Sequence, residues 1–178
     1  MTASTAELMR AYRGPALFSF GFRPFFLFGA VTAAVLPVFA ALSMSGFAAP
    51  GGAYGAIAWH GHEMVYGFLA AIVAGFVLTA VPNWTGRLPV LGARLMSLFA
   101  LWLSGRAAIA ASGVIGAGAA AIIDSSFLIV LDLIIFREIT AGKNWRNMPV
   151  CLLLALFATG NVVWHMRAVN DGADPFGL

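Results

Sequence analysis

An all-α bundle of membrane-spanning helices is what this sequence predicts, and three observations carry the prediction. Of 178 residues, 61% are apolar and only 10% are charged, against roughly 25% charged in an ordinary soluble domain. Mean hydropathy is +0.92. The apolar residues fall in runs of about 20, the length that crosses a bilayer core. Such a chain lacks the polar groups to cover a water-facing surface. It is also too apolar, with too little net charge, for intrinsic disorder.

The first expected span is Phe25 to Phe47, with Pro37 as a kink point. Its apolar run exceeds the core of a signal peptide, so it reads as a retained helix. The second runs from Trp59 to Val81 and is closed by Pro82. The third covers Leu91 to Ala111 and the fourth Gly113 to Phe136, a tight hairpin turning near Ser112 and Gly113. The fifth covers Pro149 to Val169. The domain reading is therefore a cytoplasmic or interfacial segment over 1–24, a five-helix bundle over 25–169 and a polar tail over 170–178.

Charge sets the expected orientation. Arg10, Arg13, Arg23, Arg87, Arg94, Arg137, Lys143 and Arg146 all fall on one side of an odd–even count of spans. The positive-inside rule then places the N-terminus in the cytoplasm. The net charge of +3 comes without a basic run, so no nucleic-acid partner is expected. Cys151 is the single cysteine, which excludes an intramolecular disulfide and any CxxC pair. HExxH, P-loop and GxSxG motifs are absent, so hydrolase and nucleotide chemistry have no support.

Polar groups inside spans are costly and are functional candidates by default. They are His60, His62, Glu63, Arg106, Asp124, Asp132, Asn161 and His165. By position along the spans, the three histidines, Glu63 and Arg106 share one membrane level. His60, Met64, Gly67, Ala71 and Gly75 form a helical row. Its small residues admit either a neighbouring helix or a flat prosthetic group below His60. On a regular helix His60 and His62 diverge by about 200°. An extended start around Gly61 would instead let His60, His62 and Met64 approach one copper ion. Asn161 and His165 share a face, and Asn161 can orient the imidazole. Glu63 and Arg106 read as an ion pair. Asp124, near the middle of its span, must be neutral, paired or facing a polar cavity, and Asp132 reaches toward the interface.

Several motifs recur in order around these spans. Gly21-Phe22-Arg23-Pro24-Phe25-Phe26 precedes the first, and Trp59-His60-Gly61-His62-Glu63-Met64 opens the second. Leu78-Thr79-Ala80-Val81-Pro82-Asn83-Trp84-Thr85-Gly86-Arg87 closes it, and Gly160-Asn161 with His165 marks the fifth. Together they resemble the NnrS family of bacterial membrane proteins. The resemblance implies a multi-pass inner-membrane protein that contains haem and copper and serves nitric oxide metabolism, denitrification and resistance to nitrosative stress. It makes His60, His62 and His165 the expected cofactor ligands, with Met64 joining His60 and His62 at a metal. Arg23 and the Asn83–Arg87 turn are expected to hold the fold at the cytoplasmic face or line a site there. Family members run to about twice this length, so the chain reads as the N-terminal part of the pattern, with a second membrane chain or self-association as expected partners beside the lipid bilayer. Ligands from a second half would then be missing, and the cofactors with them. Nitric oxide is the candidate ligand, and no turnover is assigned. Two rival readings stay open. One is a transporter or channel fragment with Asp124, Arg106 and Glu63 along a polar path. The other is a structural bundle held by its Gly/Ala faces.

Overall fold

The computed structural model describes residues 11–47 and 52–170. Every regular element among them is helical: α1 (Phe22–Met44), α2 (Ala56–Thr85), α3 (Ala93–Ala110), the short α4 (Ser112–Ile115), α5 (Ala117–Ala141) and α6 (Met148–Asn170), with single 3-10 turns between some of them. The fold is the all-α bundle that the composition requires. Among the described residues four helices are long and apolar enough to cross a membrane, α1, α2, α5 and α6. The expected third span forms α3, 18 residues carrying Arg94 and Arg106, and it is not among those four. The expected tail beyond Asn170 lies outside the described residues, as do residues 1–10 of the 1–24 segment.

The bundle is apolar outside as well as inside. Leu27, Phe76, Leu103, Ile122, Leu133, Leu152 and Leu156 are exposed, while Asp124, His62, Glu63, Asn161 and His165 are buried. Lipid supplies no hydrophobic drive between helices, so close packing and buried polar pairs must hold them together. Phe25 on α1 provides one anchor, its ring 5.8 Å from Phe99, 6.3 Å from Trp102 and 5.7 Å from Phe127. Small residues provide another. A Cβ on Gly75 would lie 2.6 Å from the Phe26 ring, and one on Gly29 3.3 Å from Ala71. The Gly67–Ala71–Gly75 row is thus filled, by α1 at Ala71 and Gly75 and by Glu63 and Arg106 at Gly67, and the flat slot below His60 does not form along it.

Three features of the helices depart from expectation, each for a local reason. Pro82 does not close α2. The helix runs to Thr85 and ends at Gly86, whose φ of 68° supplies the left-handed cap, with Gly86 N–H donating to Pro82 O at 2.9 Å. The expected fourth span is broken at Gly116, where φ is 86°, so Ser112–Ile115 is a separate turn and α5 starts at Ala117. Within α2, Glu63–Leu69 is wound as a π-helix. Its carbonyls are served from α3, where Trp102 Nε1–H donates to Gly67 O and Arg106 Nη1–H to Tyr66 O, both at 3.0 Å. Side chains inserted into the ladder are a recognised cause of such departures, and π segments recur at functional sites.

Candidate metal centre

The π segment and Gly116 together decide where the polar side chains meet. His62 and Glu63 sit at the junction of α-helix and π-helix in α2. Asp124 lies seven residues into α5, about 10 Å of rise from its start, not deep in a longer span. Arg106 comes from α3, and Asn161 and His165 come from α6. Tyr54 is carried in by the 3-10 turn Gly52–Tyr54, pinned where Ala53 N–H donates to Ser112 Oγ at 3.0 Å.

Asp124 is the hub. Its Oδ2 accepts from Asn161 Nδ2 at 2.8 Å, and lies 3.0 Å from His165 Nε2 and 3.2 Å from His62 Nε2. Its Oδ1 accepts from Arg106 Nη2. Arg106 Nε also pairs with Glu63, 2.7 Å from Oε2, so the expected Glu63–Arg106 pair forms and extends to Asp124. Two glycines make the room. A Cβ on Gly67 would stand 2.5 Å from Glu63 Oε2, and one on Gly105 would stand 2.8 Å from Asp124 Oδ1. His62, Glu63, Asp124, Asn161 and His165 are all buried to within a few per cent.

His62, Asp124 and His165 each offer a ligand atom, and these atoms lie within 4.8 Å of one another. Two imidazoles and one carboxylate are a donor set for copper, zinc or iron. The outer contacts follow the pattern of metal sites, where the second ring nitrogen faces a carboxylate or another polar partner. His165 Nδ1 lies 3.1 Å from Tyr54 Oη, and His62 Nδ1 lies 3.7 Å from Glu63 Oε1 with no hydrogen-bond partner of its own. Tyr54 can give its single proton to Ala117 O at 3.0 Å or to His165. With the proton on Ala117 O, His165 donates from Nδ1 and turns a bare Nε2 toward Asp124, an arrangement that a cation completes. With both imidazoles neutral, Glu63, Asp124 and Arg106 leave one net negative charge in this buried cluster. Buried charge needs compensation.

The expected residues divide between this centre and other places. His62, His165, Asn161, Glu63 and Arg106 meet in it. His60 does not belong to the three-residue group; it is half-buried, with an unpartnered Nδ1. The extended start that would have joined His60, His62 and Met64 is not formed, because Ala56–His62 is α-helical. Met64 instead packs on the apolar cluster of Tyr54, Trp59 and Trp164. Arg23 donates from Nη1 to Ala16 O at 2.8 Å and lies over the Phe20 ring at 5.2 Å. Arg87 pairs with Glu138 at 2.5 Å, and Asn83 is exposed beside it at the same end of the bundle. Asp132 is half-buried, with Oδ1 unpartnered. Sequence reasoning named Asp124 as a polar intruder but not as a candidate ligand, and it did not single out Tyr54. The signal available for Asp124 was Gly116, a break that raises Asp124 to the histidine level.

Fold and site together define an all-α bundle with membrane-span-capable helices around a buried His–Asp centre. The chain matches the NnrS protein family over residues 16–177, nearly its whole length, and belongs to it. Membership suggests a membrane protein related to nitric oxide, in a family associated with metal or haem. Searches of the curated proteins and of solved structures returned no match.

Proposed function

We propose that this chain is a copper-binding protein of a bacterial inner membrane that acts in nitric oxide response, with His62, Asp124 and His165 as the ligands. The observation that carries the reading is the convergence of three ligand atoms within 4.8 Å beside an unpartnered, fully buried His62 Nδ1. Copper there would supply an open coordination position for nitric oxide. The chain's own residues do the rest. Asp124 holds both imidazoles, Asn161 holds Asp124, and Arg106 ties that carboxylate to Glu63. Ligation through His62 Nε2 puts the ring proton on Nδ1, toward Glu63. The single negative charge of the cluster favours a monovalent ion over a divalent one, because Cu(I) leaves the site neutral.

Haem is a different matter. The row below His60 is closed by Phe26 over Gly75 and by Glu63 and Arg106 over Gly67. Both nitrogens of His165 are engaged inside the cluster. The described residues do not fit haem, and no step is assigned to it. The test is titration of purified protein in detergent with Cu(I) under reducing conditions. One equivalent is expected, lost in His62→Ala and His165→Ala and kept in His60→Ala. Copper retained by both of the first two variants refutes the reading.

A further inference from the structure

At the end of the bundle away from the His–Asp centre, the geometry points to a binding site for an anionic phospholipid between α3 and α5. Arg94 and Arg106 are 12 residues apart on α3, about 18 Å by helical rise, so the two sites are separate. A cavity of about 820 Å³ lies there, lined in part by Arg87, Arg94, Arg137 and Glu138. A second, of about 340 Å³, shares Val90, Arg94, Arg137 and Glu138 with it and continues along Leu98, Leu101, Val130 and Ile134.

The charges decide the ligand. Among the described residues Glu138 is the one acidic residue lining either cavity, and it is taken by Arg87 at 2.5 Å. Arg94 and Arg137 are exposed, and neither guanidinium has an ion pair among the described residues. Two free guanidinium groups therefore face a concavity that the first turn of α3 also lines at Gly92 and Ala93. Guanidinium matches a phosphodiester through paired N–H donors, and free N–H groups at a helix start favour the same anion. The apolar continuation fits an acyl chain. A headgroup bearing its own cation would bring positive charge against the two arginines, so the site selects a net negative lipid. Basic pockets between membrane helices are used this way in general.

The full chain, in detergent, is titrated with phosphatidylglycerol and with phosphatidylcholine, and bound lipid is counted by native mass spectrometry. Phosphatidylglycerol is expected to be retained and phosphatidylcholine lost. Arg94→Gln and Arg137→Gln are each expected to weaken retention about fivefold, and the pair about 30-fold. Ser97→Trp, at an exposed position on the second cavity, blocks the chain portion and lowers retention with both arginines in place. Lysine at both positions restores part of the binding. Equal retention of the two lipids overturns the proposal, as does a double variant that binds like the parent. Inorganic phosphate that competes as well as the lipid also overturns it, since the ligand is then the free anion. Copper content is unaffected in every arm, so these outcomes stand apart from the metal reading.

Discussion

Replacing Asp124 by Asn exchanges one carboxylate oxygen for NH2 and tests the centre directly. Asp124 Oδ2 faces three nitrogens, at 2.8, 3.0 and 3.2 Å, and Oδ1 takes Arg106. An amide of the same shape must turn its NH2 either toward Arg106 or toward Asn161 Nδ2, and either way a donor faces a donor. Hydrogen bonds to charged groups contribute about 1.5–3 kcal/mol each, and breaking a buried pair at one partner costs about 3–5 kcal/mol. Glu63 remains to hold Arg106 at 2.7 Å, which keeps the expected loss near the lower bound, about 3 kcal/mol. The assay is denaturant unfolding in detergent followed by tryptophan fluorescence, with Trp164 as reporter 4.3 Å from the His62 ring. Copper is measured on the same samples. Glu63→Gln is the control, since it removes the same unit of charge and leaves all three ligands. It should keep copper with weaker affinity, while Asp124→Asn loses it. An Asp124→Asn protein within about 1 kcal/mol of the parent and with full copper refutes the hub. If Glu63→Gln loses copper just as completely, net charge rather than the Asp124 oxygen holds the ion.

Other expectations follow from the same geometry. Gly105→Ala places a Cβ 3.2 Å from Asp124 Cα as well as 2.8 Å from Oδ1, so α3 and α5 must separate; a loss of about 1–3 kcal/mol is expected from unfolding curves, with copper affinity reduced alongside. Trp102→Phe removes the N–H that serves Gly67 O in the π segment; a cost of about 1–3 kcal/mol is expected, and parent-like stability would show that the segment does not depend on this donor. Burial, and then the Asp124 charge, push the Tyr54 hydroxyl up to about 12 from 10.0. The folded chain then keeps a proton that the unfolded chain gives up, so this contribution is complete below pH 10 and is lost as pH rises toward 12, about 2–3 kcal/mol in all. Tyr54→Phe should flatten that part of the stability–pH curve, and an unchanged slope would show that another group causes it.

The sequence by itself determined the class of protein and the material of the site. With 10% charged residues, burying apolar groups in lipid is the available solution, and helices satisfy their own backbone there. The same scarcity made each intramembrane polar residue visible, and the Glu63–Arg106 pair could be drawn from position along the spans alone. What tertiary structure decided was which of those residues meet. His60 and His62 are equivalent as neighbours in sequence, and only the helical start of α2 separates them, turning His62 into the core. Asp124 was placed too deep because apolarity does not show where a helix begins; the positive φ at Gly116 does. The π turn is set by donors on α3, 35 and 40 residues away in the chain, and periodicity within α2 carries no trace of them. Hydropathy reports the transfer of one segment into lipid, whereas a hydrogen-bonded centre is a property of four helices at once.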